Sequence, residues 1–266
     1  MGRVIGWMVV AGVAGLLGVA ASAEVVARDV EYTHGDVTLV GYLAYDDAVE
    51  GKRPGVLVVH EWWGLNEYAK QRARMLAELG YVAFAADMYG KGKVTEDPKV
   101  AGNWAGHMSG NVELWRARAM EGLARLKAER RTDADRLAAI GYCFGGSTVM
   151  QLAYAGAELD GVVSFHGSLP PAPDDAKIEA EVLACHGAAD GFVSAEQQAE
   201  FERSLNKAGA AWTLIAYGGA KHSFTNPNAD DYGVKGVAYD KRADRRSWSH
   251  MRTFFDAVFG DDEQGR

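Results

Sequence analysis

Short continuous apolar runs alternate along the chain with segments in which apolar residues recur every three or four positions. Such a run is typical of a strand buried on both faces of a sheet, and the longer repeat indicates an amphipathic helix. The pattern predicts a hairpin over 30–45 with its turn at 34–36, and strands at 55–61, 81–87, 136–142, 159–167, 180–187 and 212–218. It predicts helices at 66–80, 111–130, 145–156, 194–209 and 242–259.

This alternation indicates a mainly parallel sheet with helices on both faces. No internal repeat or linker interrupts it, so residues 24–266 are predicted to form a single domain. The least regular stretch is 88–110, which contains several glycines together with Trp104 and His107. In an open α/β sheet such a segment often covers the pocket at the carboxyl ends of the strands, and we expect that here.

Residues 1–23 have the organisation of a secretory signal peptide. Arg3 is followed by a Gly- and Ala-rich apolar stretch that ends in the A-S-A of 21–23, an A-x-A cleavage motif. Cleavage before Glu24 would release residues 24–266 into the periplasm or the medium without a stable membrane anchor. The apolar stretch is also long enough for an uncleaved anchor, which is the alternative.

Charge and motif content exclude several classes of function. The chain carries a net charge of -8 at pH 7, which argues against nucleic acid as a partner because phosphate binding needs clustered Lys and Arg. Neither H-E-x-x-H nor C-x-x-C occurs, so no metal site is predicted. No phosphate-binding or dinucleotide-binding glycine motif occurs either, and we expect a monomer that needs no cofactor.

The chain has two cysteines, Cys143 and Cys185. In an oxidising compartment they could pair. Their contexts differ, however, because Cys143 lies in a glycine-rich turn and Cys185 lies in a short apolar run. We therefore predict two free thiols, one exposed and one packed.

The turn at Cys143 has the spacing of a nucleophile elbow. The sequence "LAAIGYCFGGSTVM" is typical of a strand, a sharp turn and a helix, and 141–145 is G-x-S-x-G with cysteine in place of serine. The following helix would direct its positive end at the sulfur and favour the thiolate, and the N–H of Phe144 could face an oxyanion. Taken alone, the motif fits a nucleophile and a purely structural turn equally well.

A cysteine nucleophile needs a base and a group that orients the base. On α/β-hydrolase folds the order is nucleophile, acid, histidine, each on a loop after a later strand. Asp190 follows the strand at 180–187 and His222 follows the strand at 212–218, so both fit the position and the order. Each alone is weak, because an Asp after a strand is commonly a turn or cap residue and a loop His commonly lies on the surface.

The strand that ends at Glu61 leads into Trp62 and Trp63, at the rim where sites of α/β sheets form. Glu61 is a candidate site residue, with a cap of the following helix as the alternative, and the tryptophans could belong to the core. His166 and His186, which end two further strands, could line the pocket floor or be satisfied core groups.

Five stretches, "VVHEWWGLNEY", "GYVAFAADMYGKG", "IGYCFGGSTVM", "HGAADGFV" and "KHSFTNP", together resemble the dienelactone hydrolase family of α/β-hydrolases. The similarity extends over about 29–259. It implies the α/β-hydrolase fold, with Cys143 as the nucleophile, His222 as its base and Asp190 as the group that orients the base.

The resemblance also implies roles for the loop after the first buried strand. Glu61 matches a glutamate that contacts the resting cysteine and takes up the thiol proton when substrate binds. The N–H groups of Trp62 and Phe144 match the oxyanion hole.

The sequence departs from the family where substrate is bound. Family members that open dienelactones hold the substrate carboxylate with arginines, one of them shortly after the histidine motif, where this chain has Thr225 and Asn226. The segment 97–111 offers no arginine, and Arg116 and Arg118 follow later. An anionic dienelactone therefore fits this chain poorly.

The resemblance implies a hydrolase of small esters or lactones, and the pattern of residues 1–23 predicts that it is exported. Cys143 would attack the carbonyl as His222 accepts a proton, and water activated by His222 would release the thioacyl-enzyme. The alternatives are a general carboxylesterase or thioesterase on the same scaffold, and a small-molecule binding protein without turnover. The complete Cys143, Asp190 and His222 set argues against the binding protein.

Overall fold

The computed structural model describes Gly2 and residues 25–260. Apart from Gly2, the predicted signal peptide and its cleavage site therefore lie outside the described residues, as does the acidic carboxyl end at 261–266. Within the part of the chain that the structure describes, no helix is long and apolar enough to cross a membrane.

Eight strands and six helices form from the described residues. In chain order they are β1 (Val25–His34), β2 (Val37–Asp46), β3 (Arg53–Val59), α1 (Glu67–Glu78), β4 (Val82–Ala86), α2 (Pro98–Ser109), α3 (Val112–Lys127), β5 (Thr132–Tyr142), α4 (Phe144–Tyr154), β6 (Gly161–Phe165), β7 (Glu181–Gly187), α5 (Ala195–Lys207), β8 (Trp212–Tyr217) and α6 (Lys241–Phe259), with a short 3-10 helix at Ala229–Tyr232. Each strand and helix predicted from the pattern is present.

The strands form one sheet in the order β1-β2-β4-β3-β5-β6-β7-β8. β1 and β2 form the predicted antiparallel hairpin, and β2 also pairs antiparallel with β4. All other neighbouring strands pair in parallel, so the carboxyl ends of β3, β5, β6, β7 and β8 meet at one edge. The predicted mainly parallel sheet is confirmed.

Helices cover both faces of the sheet. In β3, the side chains of Leu57 and Val59 pack in a cluster with residues of α3, α4 and α5. Val56 and Val58, which alternate with them, pack on the opposite face with residues of α1 and α6. Because consecutive strand residues face opposite sides, an uninterrupted apolar run is what a strand between two helical layers requires.

The segment 88–110 is more regular than its sequence suggests, because α2 occupies its second half. Asp97 begins this helix by accepting a hydrogen bond from the N–H of Lys99 at 2.8 Å, and a proline at the first helical position favours the helical φ. Only Ala101 and Met108 of α2 are buried. With so few buried apolar residues, the sequence of α2 shows only a weak helical repeat. The prediction of irregular structure was therefore wrong here.

Candidate active site

Cys143 lies in a sharp turn between β5 and α4, at the carboxyl edge of the sheet. Its φ of 53° and ψ of -112° lie in a region that residues other than glycine rarely adopt. A Cβ on Gly141 would lie 2.0 Å from the carbonyl oxygen of Gly145, and one on Gly145 would lie 2.1 Å from that of Val59. The two flanking glycines therefore let the turn pack against β3, and they explain the G-x-C-x-G spacing.

Three loops at this edge bring Cys143, His222 and Asp190 together. The Nε2 of His222 lies 3.0 Å from the Sγ of Cys143, and the Nδ1 of His222 lies 2.7 Å from Oδ2 of Asp190. The other carboxylate oxygen of Asp190 accepts a hydrogen bond from the N–H of Phe192 at 2.9 Å. A thiol, an imidazole and a carboxylate in this order have the geometry of a nucleophile, a base and its orienting group.

The charges of these groups support one another. Burial opposes a charged imidazole at His222, but the sulfur of Cys143 and the carboxylate of Asp190 outweigh it and raise the pKa of His222 to about 10. Burial in turn opposes the charge of Asp190, and the hydrogen bond from His222 outweighs this and lowers the pKa of Asp190. Both effects favour a positively charged imidazole between two acceptors.

The two residues whose backbone amides are expected to form an oxyanion hole follow neighbouring strands at the same edge of the sheet. Phe144 is the first residue of α4, so its N–H has no acceptor within the helix. Trp62 lies in the loop that follows β3, the strand next to β5. A free N–H at a helix start and another in the neighbouring loop are suitable donors for a developing oxyanion.

Glu61 is buried beside the group, but its partners differ from those that the resemblance implies. The hydroxyl of Ser223 donates to its Oε1 at 2.8 Å, and the amide of Asn226 donates to its Oε2 at 2.5 Å. Its carboxylate is thus turned toward the loop that carries His222, while the Sγ of Cys143 lies against His222. Burial raises the pKa of Glu61 despite the two hydrogen bonds.

A cavity of about 210 Å³ opens above the sulfur of Cys143. Its walls are almost entirely apolar or aromatic, and the described residues that line it include no Lys or Arg. The lining residues are Trp62, Trp63, Cys143, Phe192, His222, Ser223, Tyr232, Val234 and Val237. The cavity suits a small uncharged molecule with an apolar body.

The arginines considered in the sequence analysis do not reach this cavity. Arg116 donates to the side-chain oxygen of Gln151, and Arg118 donates to the backbone carbonyl of Met88. Thr225 and Asn226, at the position of a family arginine, are buried behind the cavity rather than lining it.

Sequence reasoning missed much of the cavity wall. Tyr232, Val234 and Val237 come from the segment between β8 and α6, and Tyr232 stacks on Trp63 with ring centroids 4.2 Å apart. No periodicity marks this segment. Phe192 had a usable signal in the sequence, since it follows Asp190 by two residues, and in the structure its side chain is 54% exposed.

The cover of the pocket also differs from expectation. The segment 88–110 contributes no lining residue, and α2 instead lies behind Trp62, where a Cβ on Gly102 would be 3.7 Å from the indole ring. The prediction of two free thiols is confirmed; Cys185 is buried as predicted, whereas Cys143 is half-buried rather than exposed. His166 is a fully buried group with both ring nitrogens hydrogen-bonded, whereas Nδ1 of the buried His186 has no partner among the described residues.

Comparison with known proteins assigns the chain to a family. The model of the dienelactone hydrolase family matches residues 39–259. The chain belongs to this family. It is 28% identical over 243 residues to the provisionally named carboxymethylenebutenolidase of Aquifex aeolicus, covering 85% of this chain and 96% of that protein.

Solved structures agree with the family assignment. A dienelactone hydrolase-like promiscuous phosphotriesterase from metagenomic libraries is 40% identical, with a TM-score of 0.86 over 89% of this chain and 99% of that one. An α/β hydrolase from a Medee basin deep-sea metagenome library shares the fold, with 17% identity and a TM-score of 0.62 over 87% of this chain and 98% of that one. The chain has the α/β-hydrolase fold, and it is a dienelactone hydrolase-like enzyme that hydrolyses carboxylic esters.

Proposed function

We propose that this chain hydrolyses small uncharged carboxylic esters or lactones with Cys143 as its nucleophile. One observation carries the proposal: the sulfur lies 3.0 Å from the Nε2 of His222 at the floor of an apolar cavity. His222 is in turn held by Asp190. A binding protein would have no use for this arrangement.

The reaction follows from these positions. Nε2 of His222 takes the thiol proton as the sulfur attacks the ester carbonyl carbon, and the N–H groups of Trp62 and Phe144 stabilise the tetrahedral oxyanion. As this intermediate collapses, the leaving alkoxide takes a proton from Nε2 of His222, and a thioester remains on Cys143. Water then attacks the thioester while His222 accepts its proton, and the second collapse releases the acid and the sulfur. Asp190 keeps the imidazole oriented through both steps.

The charge of the site favours uncharged substrates. The cavity has no Lys or Arg among its described lining residues. The buried carboxyl of Glu61 lies just behind the cavity wall, where it accepts a hydrogen bond from the lining residue Ser223. A substrate carboxylate would lose its water shell there without gaining a positively charged partner. The amide of Asn226, where related enzymes have an arginine, cannot supply that charge.

The test compares two esters that differ only in a terminal carboxylate, p-nitrophenyl butyrate and p-nitrophenyl hydrogen succinate. We expect the butyrate to be hydrolysed with a kcat/KM about a hundredfold higher, because the succinate charge must be desolvated without a partner. Cys143→Ala should abolish turnover, and mass spectrometry of acid-quenched parent enzyme should detect a butyryl group on Cys143. Turnover by Cys143→Ala at the parental rate would contradict the nucleophile, and a preference for the succinate would contradict the substrate class.

Neutral phosphotriesters are a second candidate class. The observation in favour is the 40% identity to a dienelactone hydrolase-like promiscuous phosphotriesterase. The apolar cavity also suits a neutral triester. We expect slow release of p-nitrophenol from diethyl p-nitrophenyl phosphate that is lost in Cys143→Ala, and equal rates in parent and variant would remove this candidate.

We also propose export, on the pattern of residues 1–23. The short positive start, the apolar stretch and the A-S-A motif support it. Expression of the full chain in a bacterium with two membranes, followed by fractionation and amino-terminal sequencing, tests this proposal. We expect periplasmic protein that begins at Glu24, and membrane-bound protein that retains residues 1–23 would contradict it.

A further inference from the structure

His166 is a buried histidine for which the reaction has no chemical role. Its side chain is fully buried, and its φ of 40° places it, like Cys143, in the left-handed region that disfavours most residues. Its Nδ1 lies 3.1 Å from the backbone nitrogen of Cys143, and its Nε2 lies 2.6 Å from Oγ1 of Thr225. One imidazole thus joins the turn of the thiol to the loop of His222.

The direction of these hydrogen bonds fixes the tautomer. The backbone N–H of Cys143 can only donate, and it is shared between the carbonyl of Phe165 at 3.0 Å and Nδ1 of His166 at 3.1 Å. Nδ1 of His166 must therefore be an acceptor, and Nε2 must carry the proton. Nε2 therefore donates to the hydroxyl of Thr225. Burial and the positive charges of His222 and Arg72 lower the pKa of His166 and favour this neutral form.

Thr225 is held from other sides as well. The hydroxyl of Tyr68 lies 2.6 Å from its Oγ1, and the guanidinium of Arg72 donates to its backbone carbonyl at 2.6 Å. Arg72 is itself fixed by an ion pair with Asp244 at 2.6 Å. Thr225 follows His222 by three residues, so these contacts hold the backbone that carries the base.

We propose that His166 and Thr225 are positioning residues that set the distance between the sulfur of Cys143 and Nε2 of His222. The inference rests on the proposed role of Cys143. Neither residue lines the cavity above Cys143. The hydrogen bond between them links the strained turn after β5 to the loop after β8, where Ser223 also has a positive φ of 56°.

The physical need for such a link follows from the strain at both ends. Backbone in sparsely populated φ/ψ regions is strained and persists only where the surroundings hold it. Without the link, the two loops are held less firmly relative to each other, and a shift of about 1 Å between reacting groups can cost up to about a hundredfold in rate. Loss of the link should therefore lower kcat more than it changes KM.

The first test is Thr225→Val, which removes the hydroxyl but keeps the carbonyl that Arg72 holds. We expect kcat for p-nitrophenyl butyrate to fall about tenfold with KM within about twofold, and Thr225→Ser to restore most of the loss. Thr132→Val is the matched control, because Thr132 is a buried threonine at the start of β5 whose hydroxyl has no partner among the described residues. Thermal unfolding of each variant reports stability separately.

His166→Asn gives a second test that stands if Thr225→Val does not fold. Asparagine tolerates positive φ and could accept from the N–H of Cys143, but it is too short to reach Thr225. We expect the same loss of about tenfold in kcat. The double variant should also lose about tenfold in total rather than a hundredfold, because both changes remove the same hydrogen bond between His166 and Thr225. The inference would be overturned if the losses in kcat of the two single variants multiplied in the double variant, or if only KM changed. Equal kcat in Thr225→Val and Thr132→Val would also overturn it.

The outcome for Cys143→Ala separates this inference from the proposed function. If Cys143→Ala keeps turnover, the proposed function fails, and a link that positions Cys143 fails with it. If Cys143→Ala is inactive while Thr225→Val and His166→Asn match the parent enzyme, only the positioning role is overturned.

Discussion

The two cysteines of the chain have opposite surroundings although both belong to one sheet. Cys185 lies within β7, is 1% exposed and accepts a long hydrogen bond from the hydroxyl of Tyr217 at 3.5 Å. Burial raises its pKa to about 12. Cys143 lies one residue beyond the end of β5, is half-buried and has an imidazole at 3.0 Å.

The difference shows that the position relative to the strand end decides the chemistry of the thiol. Within a strand, a side chain faces a helical layer and meets apolar groups that disfavour a charge. Just beyond the carboxyl end, it meets the amino end of the next helix and the loops of neighbouring strands. The strand β7 combines both situations, because Cys185 lies within it and Asp190 lies in the loop that follows.

The largest expected loss of kcat comes from changing Asp190, in the loop after β7. Asp190→Asn should lower kcat for p-nitrophenyl butyrate about a thousandfold or more, because an amide no longer enforces the tautomer and orientation of His222. Asp174→Asn is the matched control, since Asp174 is 87% exposed and forms a surface ion pair with Lys207. If both variants retained parental kcat, Asp190 would have no orienting role, and β7 would contribute only structure.

The next largest effect is the expected difference between the alkylation rates of the two thiols. Iodoacetamide should alkylate Cys143 about a thousandfold faster than Cys185 in the folded protein, because Cys185 reacts only after an opening that costs much of the unfolding free energy. Peptide mass spectrometry of timed samples measures both rates in one experiment. In denaturant the two rates should converge, and comparable rates in the native protein would contradict the contrast.

The sequence was sufficient where local spacing determines the structure. The order of strands and helices follows from apolar runs, and the turn at Cys143 follows from two glycines at fixed spacing. The chain order of Cys143, Asp190 and His222 then suggested the grouping, because parallel strands end at one edge. The functional roles of these three residues stay predictions until the variants are measured.

Contacts between distant segments could not be predicted in the same way. The partner Ser223 of Glu61 lies 162 positions away in sequence, and its orientation depends on a positive φ that no motif encodes. Tyr232 and Val237 line the cavity from a segment without periodicity. The helix α2 was missed because only two of its residues are buried, so its apolar residues form no clear helical repeat.

A third prediction addresses the close packing that distinguishes the turn of Cys143. Gly145→Ala should lower the free energy of unfolding by about 3 kcal/mol, because its Cβ would meet three backbone atoms of Val59 and His60 within 2.7 Å. Gly106→Ala in α2 meets nothing within 4 Å and should raise stability by roughly 0.5–1 kcal/mol. Denaturant unfolding measures both, and equal stabilities would show that the turn can relax away from β3.

The smallest effect concerns Cys185 and depends on pH. At pH 7, Cys185→Ala should cost about 1 kcal/mol, because it removes one buried heavy atom from a packed strand. The folded thiol has a pKa of about 12 against 9.0 for the ordinary thiol, so above pH 9 the unfolded parent loses a proton that the folded parent keeps. The parent therefore loses about 1.4 kcal/mol by pH 10 relative to the variant, which has no thiol at this position. Urea unfolding at both values of pH should show that the cost of the substitution disappears by pH 10 and that the variant becomes slightly the more stable protein. A constant cost would mean that the thiol of Cys185 ionises as readily in the folded protein as in the unfolded chain.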